Sequence, residues 1–409
     1  MQVSTTVWIL TLLGIIGLLA YDFFFHVRKA HIPTLRESAI WSAAYVGIAL
    51  LFGVGVWVFA GSDPGTEYFA GYVTEKALSV DNLFVFLIIM GSFAVPRANQ
   101  QKVLLFGIVF ALISRTVFIF LGAAAIDRFA WVFYVFGLIL LLTAGNMLKP
   151  DDEDSEGENF VVRLIRKVIP TSEGYDEDKL FTVENGKRLM TPMMVVMLAI
   201  GGTDILFAID SIPAIFGLTQ STYIVFTATA FSLLGLRQLY FLIDGLLDRL
   251  IYLSFGLAAI LGFIGVKLIL HALAENTLPF INDGEHVPVV EVSTGMSLVV
   301  IIGVLVITVV ASLVSPAGKA KNAVGNARRH ATQYLDIGYW GDPDAREKSY
   351  GALEEEIKTI KALPEKHRAR IRNEREFLEL LEAAEQEHAR AARGEAPAET
   401  PTDEPPSGR

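Results

Sequence analysis

The stretch that decides the fold is GGTDILFAIDSIPAIFG, residues 201–217. It places two carboxylates, Asp204 and Asp210, inside a long apolar run. An ionisable side chain at membrane depth is costly, so each acid is a functional-site hypothesis by default. Pro213 has no N–H for the carbonyl of Ile209, so the sequence predicts a helix break and a free carbonyl beside Asp210. Transporters bind ions at such broken helices near the middle of the bilayer.

A second stretch, EKALSVDNLFVF at residues 75–86, resembles the first. Its acids, Glu75 and Asp81, have the same spacing of six residues as Asp204 and Asp210. Six residues turn an ideal helix by roughly 600°, which leaves the two acids of each pair about 120° apart. We therefore expect Asp81 and Asp210 to face each other, with Glu75 and Asp204 lining access paths on either side.

The composition predicts an all-α, multi-pass membrane protein, because the 409 residues are 53% hydrophobic with a mean hydropathy of +0.47. There is no cysteine. Any metal site must therefore use oxygen or imidazole ligands, which favour hard ions such as Mn, Mg or Ca. The net charge of −10 gives no reason to expect a nucleic acid partner. Without a phosphate-binding loop or a histidine cluster in the spans, we expect no enzyme activity and no cofactor.

Hydropathy predicts about nine membrane spans. They are residues 3–26, 39–60, 67–93, 103–125, 130–148, 193–217, 222–246, 252–272 and 295–315. The third and sixth spans carry the acids and are the least apolar. The distribution of Lys and Arg among the loops predicts a plasma-membrane protein with its N-terminus outside and its C-terminus in the cytoplasm.

The spans also suggest an internal repeat. Spans three to five, residues 67–148, match spans six to eight, residues 193–272, in the order of their acids, arginines and glycines. Arg115 corresponds to Arg237, and Gly145 to Gly265. A unit with an odd number of spans must repeat with inverted topology, so the sequence predicts a three-plus-three inverted repeat.

The remaining segments surround this core. They are two peripheral spans at 1–66, a cytoplasmic loop at 149–192, an outer loop and ninth span at 273–315, a helical cytoplasmic tail at 316–393, and a disordered end at 394–409. Within the loop, an acidic run precedes an amphipathic helix at 160–169, and Asn185-Gly186 predicts a hairpin. Helices are expected at 345–362 and 365–393 of the tail.

The residues around both acid pairs resemble the TerC family of integral membrane proteins, associated with tellurium resistance and manganese homeostasis. The matching residues are Gly71-Tyr72, Glu75 to Asn82, Val95-Pro96, Phe207 to Phe216, Gly235 to Arg237, Tyr240-Phe241 and Gly262 to Lys267. The resemblance covers about residues 10–315. It implies similarity to the LysE-type exporters and an ion-translocating role for the four acids. Gly201 stands where family members often have an acid, which leaves the ion's identity and the number of coupled protons open.

The candidate metal ligands are therefore Glu75, Asp81, Asp204 and Asp210, with Asn82, Ser211, the Ile209 carbonyl and Asp22 as secondary candidates. The alternative is structural. Arg115 and Arg237 could pair with Asp81 and Asp210, since buried charges need partners. Glu75 could pair with Lys76. Lys267 either reaches the outer interface or balances the charge of an empty site. Asp22 lies near the inner interface in the simpler interpretation.

Two functions remain open. The first is a secondary transporter that exports a divalent cation, expected to be Mn(II), in exchange for protons that neutralise the empty site. The second is a membrane scaffold, in which the loop at 149–192 and the tail recruit soluble metal-stress or secretion partners and the acids are structural. The lipid bilayer is a partner in both. Tellurite is an anion that carboxylates repel, so we expect any effect on tellurite resistance to be indirect.

Overall fold

The structure, a computed structural model, confirms the all-α class. It describes residues 3–27, 35–93, 95–148, 172, 179–184, 187–243, 250, 252–276, 287–289, 292–335, 343–362 and 374–393. The predicted helix at 160–169, the acidic run before it, the Asn185-Gly186 turn and the segment 394–409 lie outside these residues. The chain divides into two compact units, Met1–Asp244 with Leu253–Thr308, and Gly245–Tyr252 with Val309–Arg409.

The helices of the first unit follow the apolar runs of the sequence. They are α1 (Thr5–Asp22, continued as a π-helix over Phe23–Val27), α2 (Leu35–Ala60), α3 (Ser62–Ser92), α4 (Arg97–Arg128), α5 (Val132–Met147), α6 (Pro192–Phe216), α7 (Thr222–Leu233), α8 (Leu236–Ile243) and α9 (Leu253–Glu275). Helix α10 covers Thr294–Val314, of which the part up to Thr308 belongs to this unit.

Among the described residues, seven helical segments are long and apolar enough to cross a membrane. Two of the nine expected spans are not among them. Helix α3 is continuous, but charged side chains, including both acids of the first pair, interrupt its apolar sequence. Helix α5 is apolar but has only 16 residues. Seven spans follow from length and composition, and the count of nine stays a prediction.

Two of the breaks between helices lie at glycines, whereas we expected a break at Pro213. The predicted loop at 61–66 is reduced to Gly61, whose φ of 106° suits glycine, and α3 starts at the next residue. The break expected near Pro213 is absent, since α6 continues through that proline to Phe216. The break falls instead between α7 and α8, at Gly235, whose φ is 79°. The span predicted at 222–246 is therefore two helices.

Helices of the two predicted repeats interleave in the first unit. Helix α3 packs against α6 and α7, and α4 packs against the same two helices. The pair α5 and α9 packs most closely, because Gly137 and Gly265 let the two backbones approach. A Cβ atom on Gly137 would lie 2.8 Å from the carbonyl oxygen of Gly265. If α3, α4 and α5 are taken to correspond to α6, α7 and α9, each helix packs against the same kind of partner in both repeats. The inverted topology of the repeat stays a prediction.

A short hairpin precedes α6. Strand β1 (Phe181–Glu184) pairs antiparallel with β2 (Lys187–Met190), so that Phe181 lies opposite Met190. These strands flank the predicted turn. The N–H of Thr191 donates to the carbonyl of Leu180 at 3.1 Å, which closes the hairpin. Helix α6 then starts at Pro192, where a missing N–H costs nothing.

The second unit is built from α11 (Pro316–Leu335), α12 (Pro343–Lys361) and α13 (Glu374–Ala392). Ala323, Ala327 and Ala331 recur every four residues along α11 and are buried. Small side chains at this spacing form one helix face against which the other two helices pack. The tail thus contains a further helix, α11, before the helices expected at 345–362 and 365–393. Helix α12 agrees with the first of these, and α13 covers 374–392 of the second, whose residues 365–373 lie outside the described residues.

Candidate functional site

Arg115 lies at the centre of the candidate site. Its guanidinium is 1% exposed and pairs through Nη1 with Glu75 of α3 and through Nη2 with Asp204 of α6, the latter at 3.1 Å. Both carboxylates are fully buried, at 0% and 2% exposure. The Ser114 hydroxyl donates to the second oxygen of Asp204 at 3.3 Å. One cation of α4 thus bridges the first acid of each pair.

Asn82 completes the contacts of Arg115. With the amide oriented by its hydrogen bonds, the Asn82 oxygen accepts from Arg115 Nη2 at 3.1 Å and its nitrogen donates to the carbonyl of Leu78 at 3.1 Å. The side-chain oxygen that we considered as a metal ligand therefore holds the arginine in this state. Ser211 differs, since its hydroxyl is buried and has no hydrogen-bond partner among the described residues.

The second acid of each pair has a different environment. Asp81 and Asp210 are only half-buried. The two carboxylates are within electrostatic range of each other, and the charge of Arg115 also reaches Asp210. Among the residues that the structure describes, no side chain forms an ion pair with Asp81 or Asp210.

The difference between first and second acids follows from helix geometry. On an uninterrupted helix, residues six apart point about 120° away from each other. Glu75 and Asp204 can therefore both turn toward Arg115 while Asp81 and Asp210 turn toward another surface. We expected Glu75 and Asp204 to line separate access paths. The structure instead joins them through one guanidinium, because α4 lies against both acid-bearing helices.

Arg237, the second arginine of the predicted repeat, belongs to another cluster. Its Nε and Nη2 donate to the two oxygens of Asp22 at 3.1 and 2.7 Å. Gln238 and Tyr45 donate to the same carboxylate at 2.8 and 3.2 Å. Arg237 therefore does not pair with Asp81 or Asp210.

Asp22 is 5% exposed within this cluster. It is thus buried by protein side chains, while its position near the inner interface of the membrane stays a prediction. A salt bridge to an arginine 215 residues away along the chain decides its burial, and the local sequence does not reveal that partner. Its oxygens are occupied, which leaves it poorly suited as a metal ligand in this state.

Lys76, the expected partner of Glu75, and Lys267, the candidate for charge balance, have other contacts. Lys76 does not pair with Glu75, and its Nζ donates to main-chain carbonyls at the end of α7. Lys267 donates to the Ser297 hydroxyl of α10 at 3.1 Å and interacts electrostatically with Glu67. It lines a cavity of about 470 Å³ beyond the C-terminal end of α6, bordered also by Phe216.

The chemistry of the cluster is dominated by negative charge. Arg115 pairs with Glu75 and Asp204, its charge reaches Asp210, and Asp210 lies within electrostatic range of Asp81. When all are ionised, the four carboxylates of this group exceed the one guanidinium by three negative charges. Within the described part of the chain, no three His, Asp or Glu side chains are arranged to hold a metal ion. Asp81 and Asp210 are the accessible pair. Glu75 and Asp204 are instead held by Arg115.

Sequence reasoning identified the four acids and Arg115 but assigned the wrong partners to the arginine. It missed Ser114 altogether. A serine beside an intramembrane arginine carries no signal of its own, and only the packing of α4 against α6 shows that this hydroxyl reaches Asp204.

Apolar helices around a buried cluster of ionisable groups define a multi-pass integral membrane protein. The family model "Integral membrane protein TerC family" matches residues 60–320. The chain thus belongs to the TerC family of integral membrane proteins.

Several curated proteins are similar along most of their length. An "Uncharacterized membrane protein" of Mycobacterium tuberculosis is 57% identical over 386 residues, covering 93% of this chain and 97% of the relative. A protein of the same description from Myxococcus xanthus is 40% identical over 312 residues, 76% of this chain and 93% of the relative. The "Putative membrane-bound redox modulator Alx" of Escherichia coli is 38% identical over 301 residues, 71% and 89% of the two chains. No solved structure matches the chain.

Proposed function

We propose that this protein is a secondary transporter that exports a divalent metal cation, with Mn(II) as the expected ion and protons as the counter-ions. The observation that carries the proposal is the excess of negative charge in the group of four acids and Arg115, among packed helices of which α4 and α6 are long and apolar enough to span a membrane. Uncompensated carboxylates are costly at such a depth, so an empty site is stable only when cations or protons neutralise it.

The accessible acids suit the first contact with the ion. Asp81 and Asp210 are half-buried, lie within electrostatic range of each other and have no ion pair among the described residues. The Ser211 hydroxyl and the Ile209 carbonyl, which Pro213 cannot cap, add neutral oxygens on the same helix. Hard cations such as Mn(II) accept this mixture of carboxylate, hydroxyl and carbonyl ligands.

Arg115 gives the site a built-in competitor. A divalent cation between Asp81 and Asp210 repels the guanidinium, whose charge already reaches Asp210. The same cation attracts Glu75 and Asp204, which Arg115 holds in this state. Ion binding would thus weaken the arginine's two salt bridges, and ion release would restore them. This exchange is a local event that alternating access can use, with α3–α5 moving against α6–α9.

The export direction and topology complete the proposal. We infer a plasma-membrane protein with its N-terminus outside and its C-terminal helical unit in the cytoplasm, on the distribution of Lys and Arg. The chain would not be an enzyme. The name of the Escherichia coli relative suggests a redox role for that protein, but this chain has no cysteine for thiol chemistry.

The test is Mn(II) flux into proteoliposomes that contain the purified protein. Asp81→Asn/Asp210→Asn is compared with the unaltered protein and with Asp127→Asn, which changes an exposed carboxylate at the end of α4. We expect saturable flux that the double variant loses and the control keeps.

Absence of flux from the unaltered, correctly inserted protein would overturn the proposal. The scaffold function would then be tested by deleting residues 316–409, the helical tail and its end. A scaffold predicts that this deletion abolishes the metal-stress phenotype in cells, whereas the double Asp variant leaves it intact.

A further inference from the structure

Among the seven candidate spans in the described part of the chain, the one that contains the break between α7 and α8 is the most buried. Within the segment Thr222–Leu242, 89% of an apolar stretch of 18 residues is buried. Leu234 adopts an extended conformation with ψ of 132°, and Gly235 follows with φ of 79°. The last turn of a helix leaves carbonyls without intrahelical partners, and lipid and protein interiors offer no water to satisfy them. The break must therefore contain its own hydrogen-bond donor.

Lys76 of α3 supplies that donor. Its Nζ donates to the carbonyl of Ser232 at 2.9 Å and to the carbonyl of Leu234 at 3.4 Å. We refer to these two carbonyls as the carbonyl site. Ser232 and Leu234 are 0% and 4% exposed. Among the described residues, no carboxylate forms an ion pair with Lys76, since its neighbour Glu75 pairs with Arg115. The ammonium is held by main-chain oxygens.

Main-chain oxygens at a helix C-terminus are a cation site in their own right. The C-terminal end of a helix carries about half a negative charge, and rings of carbonyls replace the water around monovalent cations in channels. The two helices that meet here, α3 and α7, also carry buried hydroxyls. Thr229 and Ser232 of α7, and Ser79 one turn after Lys76, have buried hydroxyls without partners among the described residues. A small cation could bind at the carbonyl site if the ammonium were absent.

We propose that the α7–α8 break is a binding site for a small monovalent cation, and that Lys76 fills it as a tethered ammonium ion. Because the ammonium is covalently attached, the stability of the break does not depend on the concentration of free cations. It also links the break to the transport site, because Lys76 and Glu75 are adjacent on α3 and bind α7 and α4. Arg237, which holds Asp22, lies two residues after Gly235.

The experiment removes the tethered ion and offers a free one. Lys76→Ser shortens the side chain and leaves both space and an oxygen. The purified full-length variant is melted in potassium, ammonium or sodium chloride and, at equal ionic strength, in choline chloride, whose cation is too large. We expect a lower melting temperature than the unaltered protein in choline. At least one small cation should raise it saturably by several degrees.

Two control variants separate this effect from general salt effects. Lys76→Met fills the space with an apolar chain and should be destabilised equally in every salt. Lys358→Ser, at an exposed position of α12, should behave like the unaltered protein. The proposal is overturned if Lys76→Ser shows no cation-specific shift, if Lys76→Met shows the same shift, or if no salt yields folded Lys76→Ser. None of these readouts depends on transport.

Discussion

Replacing Arg115 with Met removes the guanidinium that two buried carboxylates share. At the 3.1 Å separation from Asp204, the attraction between unit charges is about 5 kcal/mol at an effective dielectric constant of about 20. Removing one partner of a buried pair typically costs about 3–5 kcal/mol, because the remaining charge is stranded. We expect Arg115→Met to lower the free energy of unfolding by that amount.

The assay is reversible unfolding in mixed micelles, followed by tryptophan fluorescence. The decisive comparison is the triple variant Glu75→Met/Arg115→Met/Asp204→Asn. It removes both salt-bridged carboxylates together with the guanidinium that they share, and the amide introduced in place of Asp204 keeps an acceptor for the Ser114 hydroxyl. Replacing a whole buried ion cluster with apolar groups is often neutral for stability. We therefore expect the triple variant to be more stable than Arg115→Met alone, although it carries more substitutions.

Two results would refute this reasoning. One is a loss below about 1 kcal/mol for Arg115→Met, which would mean that the guanidinium is not needed to hold the carboxylates in the folded state. The other is a triple variant whose loss equals or exceeds that of the single variant. Arg128→Met is the matched control, since it removes an exposed arginine at the end of the same helix and should change stability by no more than about 0.5 kcal/mol.

Three further predictions concern stability in the same unfolding assay. Gly137→Ala should cost about 1–3 kcal/mol, because its Cβ meets a main-chain oxygen at 2.8 Å, whereas Gly145→Ala on the same helix has nothing within 4 Å and should cost nothing. Gly235→Ala should cost at least about 1–2 kcal/mol through its φ of 79°, and an unchanged stability would show that the break relaxes. Asp22→Asn and Arg237→Met should show a coupling of about 0.5–3 kcal/mol in a double-mutant cycle, and additive losses would contradict the salt bridge.

The acids illustrate what could be predicted from the chain alone. Their spacing of six residues indicated that the two acids of each helix point in different directions, and the structure has buried first acids and half-buried second acids. Which cation meets which acid could not be predicted. Arg115 and Arg237 occupy matching positions in the predicted repeats, yet one binds Glu75 and Asp204 while the other binds Asp22.

The helix break shows the same limit. Pro213 is the strongest local signal for a break, but the helix continues through it because proline forbids only its own N–H bond and crowds one carbonyl. Gly235 is a weak signal within an apolar run. Glycine accepts the positive φ, and Lys76, 159 residues earlier in the chain, satisfies carbonyls that the break exposes.

Composition and periodicity by themselves determined the membrane class, most helices and the positions of the costly charges, because burial in lipid depends on side chains that are local in sequence. Only the tertiary structure decided the pairing of those charges and the position of the broken helix. Both depend on groups brought together from different helices, and the cost of a buried charge or carbonyl falls only when a distant partner meets it.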